Sequence, residues 1–236
     1  MTLLVTAGAV RQAAEGPSCY SRLRNEWVCG DYLVDRREEI LSALGSHVVL
    51  SVSSVLLGLL LAVPLALLAR RVPRLETAIT AAATGLYTIP SLALFPLLVP
   101  FTGLTATTVV LGLALYALTI LVRALLDGLR AVPPEVREAA RGLGYAPTRR
   151  LLRVELPLAL PVLMAGIRVA TVSTVALTTV GALVSHGGLG DLLVTGVAES
   201  FRAQVLTAAV LCVALAVLLD GLLVLLQRAL TPWSRA

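Results

Sequence analysis

Apolar residues fall into five long stretches separated by short polar or arginine-bearing connections. They run over about 48–69, 77–99, 105–126, 161–184 and 204–227. Each reaches the roughly 20 residues that an α-helix needs to cross about 30 Å of hydrocarbon. None alternates apolar and polar residues at every second position, as the strands of a membrane barrel do. The pattern predicts an all-α membrane protein with about five transmembrane helices. Residues 34–47, VDRREEILSALGSH, put Ile40, Leu41 and Leu44 on one face. That spacing predicts a short amphipathic helix along the membrane surface, with a solvated extension of the first span as the alternative. Met1–Val10 are apolar but short, without a basic start or an evident cleavage site, so no secretory signal is expected.

Composition agrees with this pattern. Hydrophobic residues make up 58% of the 236 residues and charged residues 14%, against about a quarter charged in a soluble domain. All 19 basic residues are arginine. A chain without lysine cannot supply the phosphate-binding lysine of a Walker A loop, a Schiff base or a Ser-x-x-Lys nucleophile. The net charge of +5 does not point to nucleic acid, because the arginines sort by membrane side. With the N-terminus outside, twelve of the 19 lie in the inside segments 70–76 and 123–157 and at the C-terminal end, Arg228 and Arg235. The positive-inside rule then predicts N-out, C-in and an odd number of spans. The chain divides into an extracytoplasmic segment 1–47, a membrane domain 48–228 and a cytoplasmic tail 229–236, with 131–157 as a cytoplasmic connector.

The connector carries the most information. Residues 131–161 read AVPPEVREAARGLGYAPTRRLLRVELPLALP, long for a loop in so compact a chain, and such loops carry function. Pro133 and Pro134 suit a helix start, with Glu135 in the first turn. Glu138, Ala139 and Ala140 favour helix, and Gly142 and Gly144 favour a stop. A second short basic helix then ends at Leu156-Pro157. Two short helices around a glycine turn make a knob suited to a partner's groove.

These residues carry a resemblance. Glu138-Ala139-Ala140, three residues, Gly144, nine residues, then Val154-x-Leu156-Pro157 resembles the EAA motif of ABC-importer permeases, with Val154 where the family pattern has isoleucine. The resemblance implies a MetI-like permease fold in the cell membrane. It also implies a coupling segment, formed by Glu138, Ala139, Ala140, Gly144, Leu156 and Pro157, that docks into a separate ATPase. ATP and Mg would bind that partner, and no cofactor this chain. YTIPSLALFPLLVPFTGL (87–104), ELPLALPVLMAGIRVATV (155–172) and ALVSHGGLGDLL (182–193) resemble the osmoprotectant subfamily for glycine betaine, carnitine or choline. That resemblance implies an extracytoplasmic solute-binding protein and a second permease subunit, identical or paralogous. Selectivity would reside in the binding protein, since a chain only 4% aromatic shows no evident aromatic cage. A permease of the same fold for an amino acid or another small solute is the first alternative. A membrane-embedded enzyme is the second, but no Gly-x-Ser-x-Gly, His-Glu-x-x-His or paired intramembrane carboxylate appears, and no catalytic residue is assigned.

Pro90, Pro96 and Pro100 interrupt the second span, and proline frees a carbonyl one turn back. Thr88, Pro90 and Ser91 are therefore candidates for the translocation path, with a packing kink as the alternative. Ser173, Thr174 and Thr178 on the fourth span are further path candidates; small hydroxylated residues also pack helices closely. Arg168 and Asp220 lie within apolar runs, where structural roles, including a mutual pair, are expected. Gly187, Gly188 and Gly190 in HGGLGD suggest a tight outside turn or a docking surface; no strand precedes them, so they form no dinucleotide loop. His47 and His186 have no zinc spacing, and no metal site is expected. Cys19 and Cys29 share the N-terminal segment, where a disulfide and two free thiols are both open.

Overall fold

The computed structural model describes residues 18–235, so the reading of Met1–Val10 lies outside the described residues. The described chain is helical: α1 Gly30–Asp35, α2 Arg37–Arg71, α3 Pro73–Thr88, α4 Ser91–Thr102, α5 Ala106–Arg130, α6 Pro134–Gly142, α7 Pro147–Val184, α8 Leu189–Ala198 and α9 Arg202–Leu230. A short 3-10 turn, Pro232–Arg235, follows. Four helices, α2, α5, α7 and α9, are long and apolar enough to cross a membrane. The second apolar stretch is not one rod: α3 and α4 meet at 101° and make a fifth crossing only as a bent pair. Residues 37–47 continue the first span without a break, so α2 is a single helix of 35 residues rather than a surface helix followed by a span. Glu38 and Glu39 in its first turn and Arg70 and Arg71 in its last both complement the helix dipole.

The corner between α3 and α4 follows from Pro90. The residue before a proline is pushed out of the helical region, and Ile89 is extended at φ −67°, ψ 123°. Its carbonyl is met by the hydroxyl of Tyr116, which donates to it from α5. One turn further, Thr119 donates to the Ala83 carbonyl at 2.6 Å.

α5 is the spine of the bundle, packed against α2, α3 and α7. Lipid tails are as apolar as leucine, so helices here associate through close packing rather than water exclusion. Small residues permit it: Ala62, Ala66 and Ala69 of α2 share one cluster with Ala117 and Leu121 of α5 and Ala170 of α7. Gly166 of α7 lies where any Cβ would collide with Ala124 of α5.

Polar contacts pin the helix order. At the end of the bundle that carries α8, the ring nitrogens of buried His47 lie 3.0 Å from the Val175 carbonyl and 3.2 Å from that of Gly187. Ser51 and Thr178 are hydrogen-bonded at 2.9 Å. Residues 18–35 cap this end. Cys19 and Cys29 are disulfide-bonded, with Cα atoms 5.7 Å apart, and Tyr20 and Tyr32 pack on Phe201. Asn25 donates to the Ser200 carbonyl and accepts from the Arg202 amide, holding the start of α9. Tyr20 donates to Asp35 at 2.7 Å, which raises its phenol above the ordinary range. Midway along α9, Asp220 receives a two-pronged contact from Arg168 of α7 at 2.7 and 2.8 Å. Both intramembrane charges thus neutralise each other.

Asp220→Asn leaves Arg168 without its counter-charge. With both side chains about a third exposed (35% and 31%), the expected loss is modest, seen as earlier thermal denaturation in detergent. Exchanging the two residues is expected to recover part of it. An unchanged transition for Asp220→Asn would show that the pair contributes nothing.

Candidate functional site

The connector folds as two short helical pieces around a glycine. Pro133 and Pro134 open α6, Glu135 sits in its first turn and Arg141 in its last, each matching the helix dipole. Its end is a Schellman motif: the Tyr145 amide donates to the Ala140 carbonyl at 3.1 Å and the Gly144 amide to that of Arg141 at 2.9 Å. This reversal puts Gly144 at φ +77°, a conformation that glycine adopts without the steric cost of a Cβ. α6 buries Ala140 and leaves Glu138, Ala139 and Leu143 exposed, Leu143 to 78%. Glu138 forms no ion pair among the described residues. The knob thus presents a free carboxylate beside an uncovered leucine.

Behind it, α7 begins irregularly. Residues Leu151–Glu155 form a π-helical turn before the α-helical stretch Leu156–Thr178. Pro157 and Pro161 follow, and neither supplies the amide that an α-helix needs one turn back. π turns often mark functional positions. This one carries Glu155, whose side chain is 1% exposed. Glu155 pairs with Arg70 at the end of α2 and with Arg150 at 2.8 Å. The connector is therefore tied to α2 through a buried carboxylate held by two guanidinium groups.

A groove of about 520 Å³ runs between α3, α5 and α7, within the usual range for small-molecule sites. Its polar side comes from α5. Tyr116, Thr119, Arg123, Asp127 and Arg130 recur at three- and four-residue spacing and so share one helix face. Tyr116 packs edge-on against Tyr87 of α3, with ring centroids 5.7 Å apart. Arg123 donates to Thr84 at 2.7 Å, and Arg130 pairs with Glu76. On the α7 side the lining is Val162, Ala165, Gly166 and Val169.

A family model for binding-protein-dependent transport system inner membrane components matches residues 54–235. The chain belongs to this family. It is a multi-pass inner-membrane component of an ABC importer. The osmoprotectant import permease protein OsmW of Salmonella typhimurium is 38% identical over 206 residues, covering 85% of this chain and 96% of that one. The glycine betaine/carnitine/choline transport system permease protein OpuCD of Bacillus subtilis is 35% identical, covering 86% and 89%. An inward-facing structure of the MetNI methionine ABC transporter matches with a TM-score of 0.77 at 22% identity, over 84% of this chain and 98% of that one; this likeness shows the fold.

Within this permease the sequence-derived residues fall in three places. Glu138, Ala139, Ala140 and Gly144 form the knob, and Leu156 and Pro157 begin the α-helical stretch behind Glu155. Thr88, Pro90 and Ser91 sit at the α3–α4 corner, next to Tyr87 and Tyr116 at one end of the groove. Ser173 is half-buried, whereas Thr174 and Thr178 are buried. Thr178 donates to the Thr174 carbonyl and contacts Ser51 of α2, and neither threonine lines the groove. Glu155 and the polar face of α5 were not singled out from sequence. The signal for Glu155 is a lone acid in an arginine-rich stretch directly before Leu-Pro.

Glu155→Gln removes the charge that holds Arg70 and Arg150 while keeping the side-chain shape. Breaking a buried pair on one side costs about 3–5 kcal/mol. The connector is expected to loosen, with faster tryptic cleavage after Arg149, Arg150 and Arg153 in otherwise inserted protein. Cleavage at the unsubstituted rate would show that the carboxylate does not hold the segment.

Proposed function

We propose that this protein is the permease subunit of an ATP-driven importer for compatible solutes of the quaternary-amine class: glycine betaine, carnitine, choline or proline betaine. The observation that carries this reading is identity of 35–38% with osmoprotectant permeases across nearly their whole length. The exposed knob supports it, since Glu138, Ala139 and Leu143 form a compact docking surface on an otherwise apolar chain.

In this reading the N-terminus is extracytoplasmic and the C-terminus cytoplasmic, as the arginine distribution favours. The knob seats in a groove of a separate ATPase, which binds ATP and Mg and performs the hydrolysis. Closure of the ATPase pair moves the knob, and the Glu155 clamp passes that movement to α2 and α7. Two permease subunits, identical or paralogous, enclose the path. A solute-binding protein delivers cargo at the opposite face, where the disulfide-held cap and the HGGLGD turn lie.

Glu138→Arg reverses the charge at the exposed surface of the knob, and Gly144→Leu forces a branched side chain into a left-handed backbone position. Each is expected to reduce uptake to background, with membrane insertion retained. Affinity purification in mild detergent should recover an ATPase with the unsubstituted chain and lose it with either variant. Full uptake by both variants would refute the docking role.

A further inference from the structure

Arg123 lies in a membrane-spanning helix without a carboxylate partner among the described residues. It lies seven residues before the end of α5, about 10 Å along the helix axis. Arg168, which lies well inside an apolar stretch, is neutralised by Asp220. Arg123 forms no ion pair with a carboxylate among the described residues. Its contact is with the Thr84 hydroxyl across the groove at 2.7 Å, so the guanidinium reaches over the groove rather than along the helix toward its end. Asp127, one turn on, is 3.7 Å from Arg130, which also pairs with Glu76. A charge left unmatched in an apolar span is costly and marks a functional position.

Next to it stands an aromatic ring. Tyr87 follows Thr84 by three residues on α3, and residues at that spacing are neighbours, with Cβ atoms about 5–6 Å apart. Tyr87 is half-exposed in the same groove and held edge-on by Tyr116. An aromatic face attracts a quaternary ammonium, and a guanidinium grips a carboxylate in two-pronged fashion. The groove therefore offers the two complements of a small zwitterion, with Arg123 held at Thr84 one helical turn from Tyr87.

We propose that this groove is a binding station for the solute within the permease, with Arg123 pairing with the carboxylate of a betaine and Tyr87 facing its ammonium group. The proposal rests on the osmoprotectant reading and adds to it that the permease itself reads solute charge. Cargo that carries a carboxylate uses both groups, whereas choline, which has none, uses only the ring.

The test is uptake by the complete importer in proteoliposomes, with binding protein and ATP saturating, comparing glycine betaine with choline. Arg123→Gln is expected to lower glycine betaine turnover about tenfold or more, the scale of a lost charged hydrogen bond, while choline turnover stays within about twofold of the unsubstituted rate. Arg123→Lys, which keeps the charge, is expected to recover much of the glycine betaine rate, and Tyr87→Ala to slow both solutes. Equal effects of Arg123→Gln on the two solutes, or no effect on either, would overturn the station while leaving the osmoprotectant reading intact. An unsubstituted importer that carries neither solute would overturn both.

Discussion

A carboxylate withdrawn from water has to be met by positive charge, and Glu155 is met twice. Desolvating an ion costs several kcal/mol even after the surroundings relax, so its place in the fold depends on Arg70 and Arg150 together. Those partners belong to different parts of the chain. Arg70 ends the first span, and Arg150 lies in the basic turn after the knob. The clamp therefore decides where the connector stands relative to the membrane helices. An apolar cluster helps at the root of the connector, where Val132 and Leu151 pack with Leu67, Leu129 and Ala159, while α6 itself buries only Ala140. The tip of the knob is thus free of apolar burial, while its root is held by both charge and packing.

The same end of the bundle feeds into α5. One part of this helix carries glycine and alanine, which admit α2 and α7 at close range. Another carries Tyr116, Thr119, Arg123 and Arg130, which stitch it to the α3 segment, and of this face Thr119, Arg123 and Asp127 line the groove. Close packing and polar lining thus share one helix. A shift of α7 against Ala124 and Gly166 alters the groove width directly, since Gly166 belongs both to that contact and to the groove wall.

The number of spans was legible because hydropathy needs no neighbour to be read. Arg168 and Asp220 were legible as charges in apolar runs, and a mutual pair is the arrangement found. The break near Pro90 was also visible, but its 101° corner was not, since a proline fixes where a helix stops and leaves the next direction to packing. Glu155 was missed because its burial is made by Arg70, 85 residues away. The α5 face was missed because isolated tyrosine and threonine barely disturb an apolar run, and Arg123 reads as the first charge of the connector. The hydroxyl of Thr178 carries no direction in sequence; Ser51 on α2 gives it one. For Cys19 and Cys29 spacing alone left pairing open, and the fold brings them together through the turn at Asn25.

The corner at Ile89–Pro90 has a consequence for how the permease deforms. α3 has 16 residues, about 24 Å of helix, shorter than the roughly 30 Å hydrocarbon slab. The second crossing therefore changes direction before it clears the lipid. There the chain behaves as a jointed arm, with Pro90 as the knuckle and the Tyr116 hydroxyl as its pin. Swinging α4 about that joint would unwind no helical turn, but it would part the Tyr116 hydrogen bond and draw buried Phe95 away from Val109, Gly112 and Leu113. The width of the aperture beside Tyr87 is thus tied to how Phe95 and Tyr116 seat against α5.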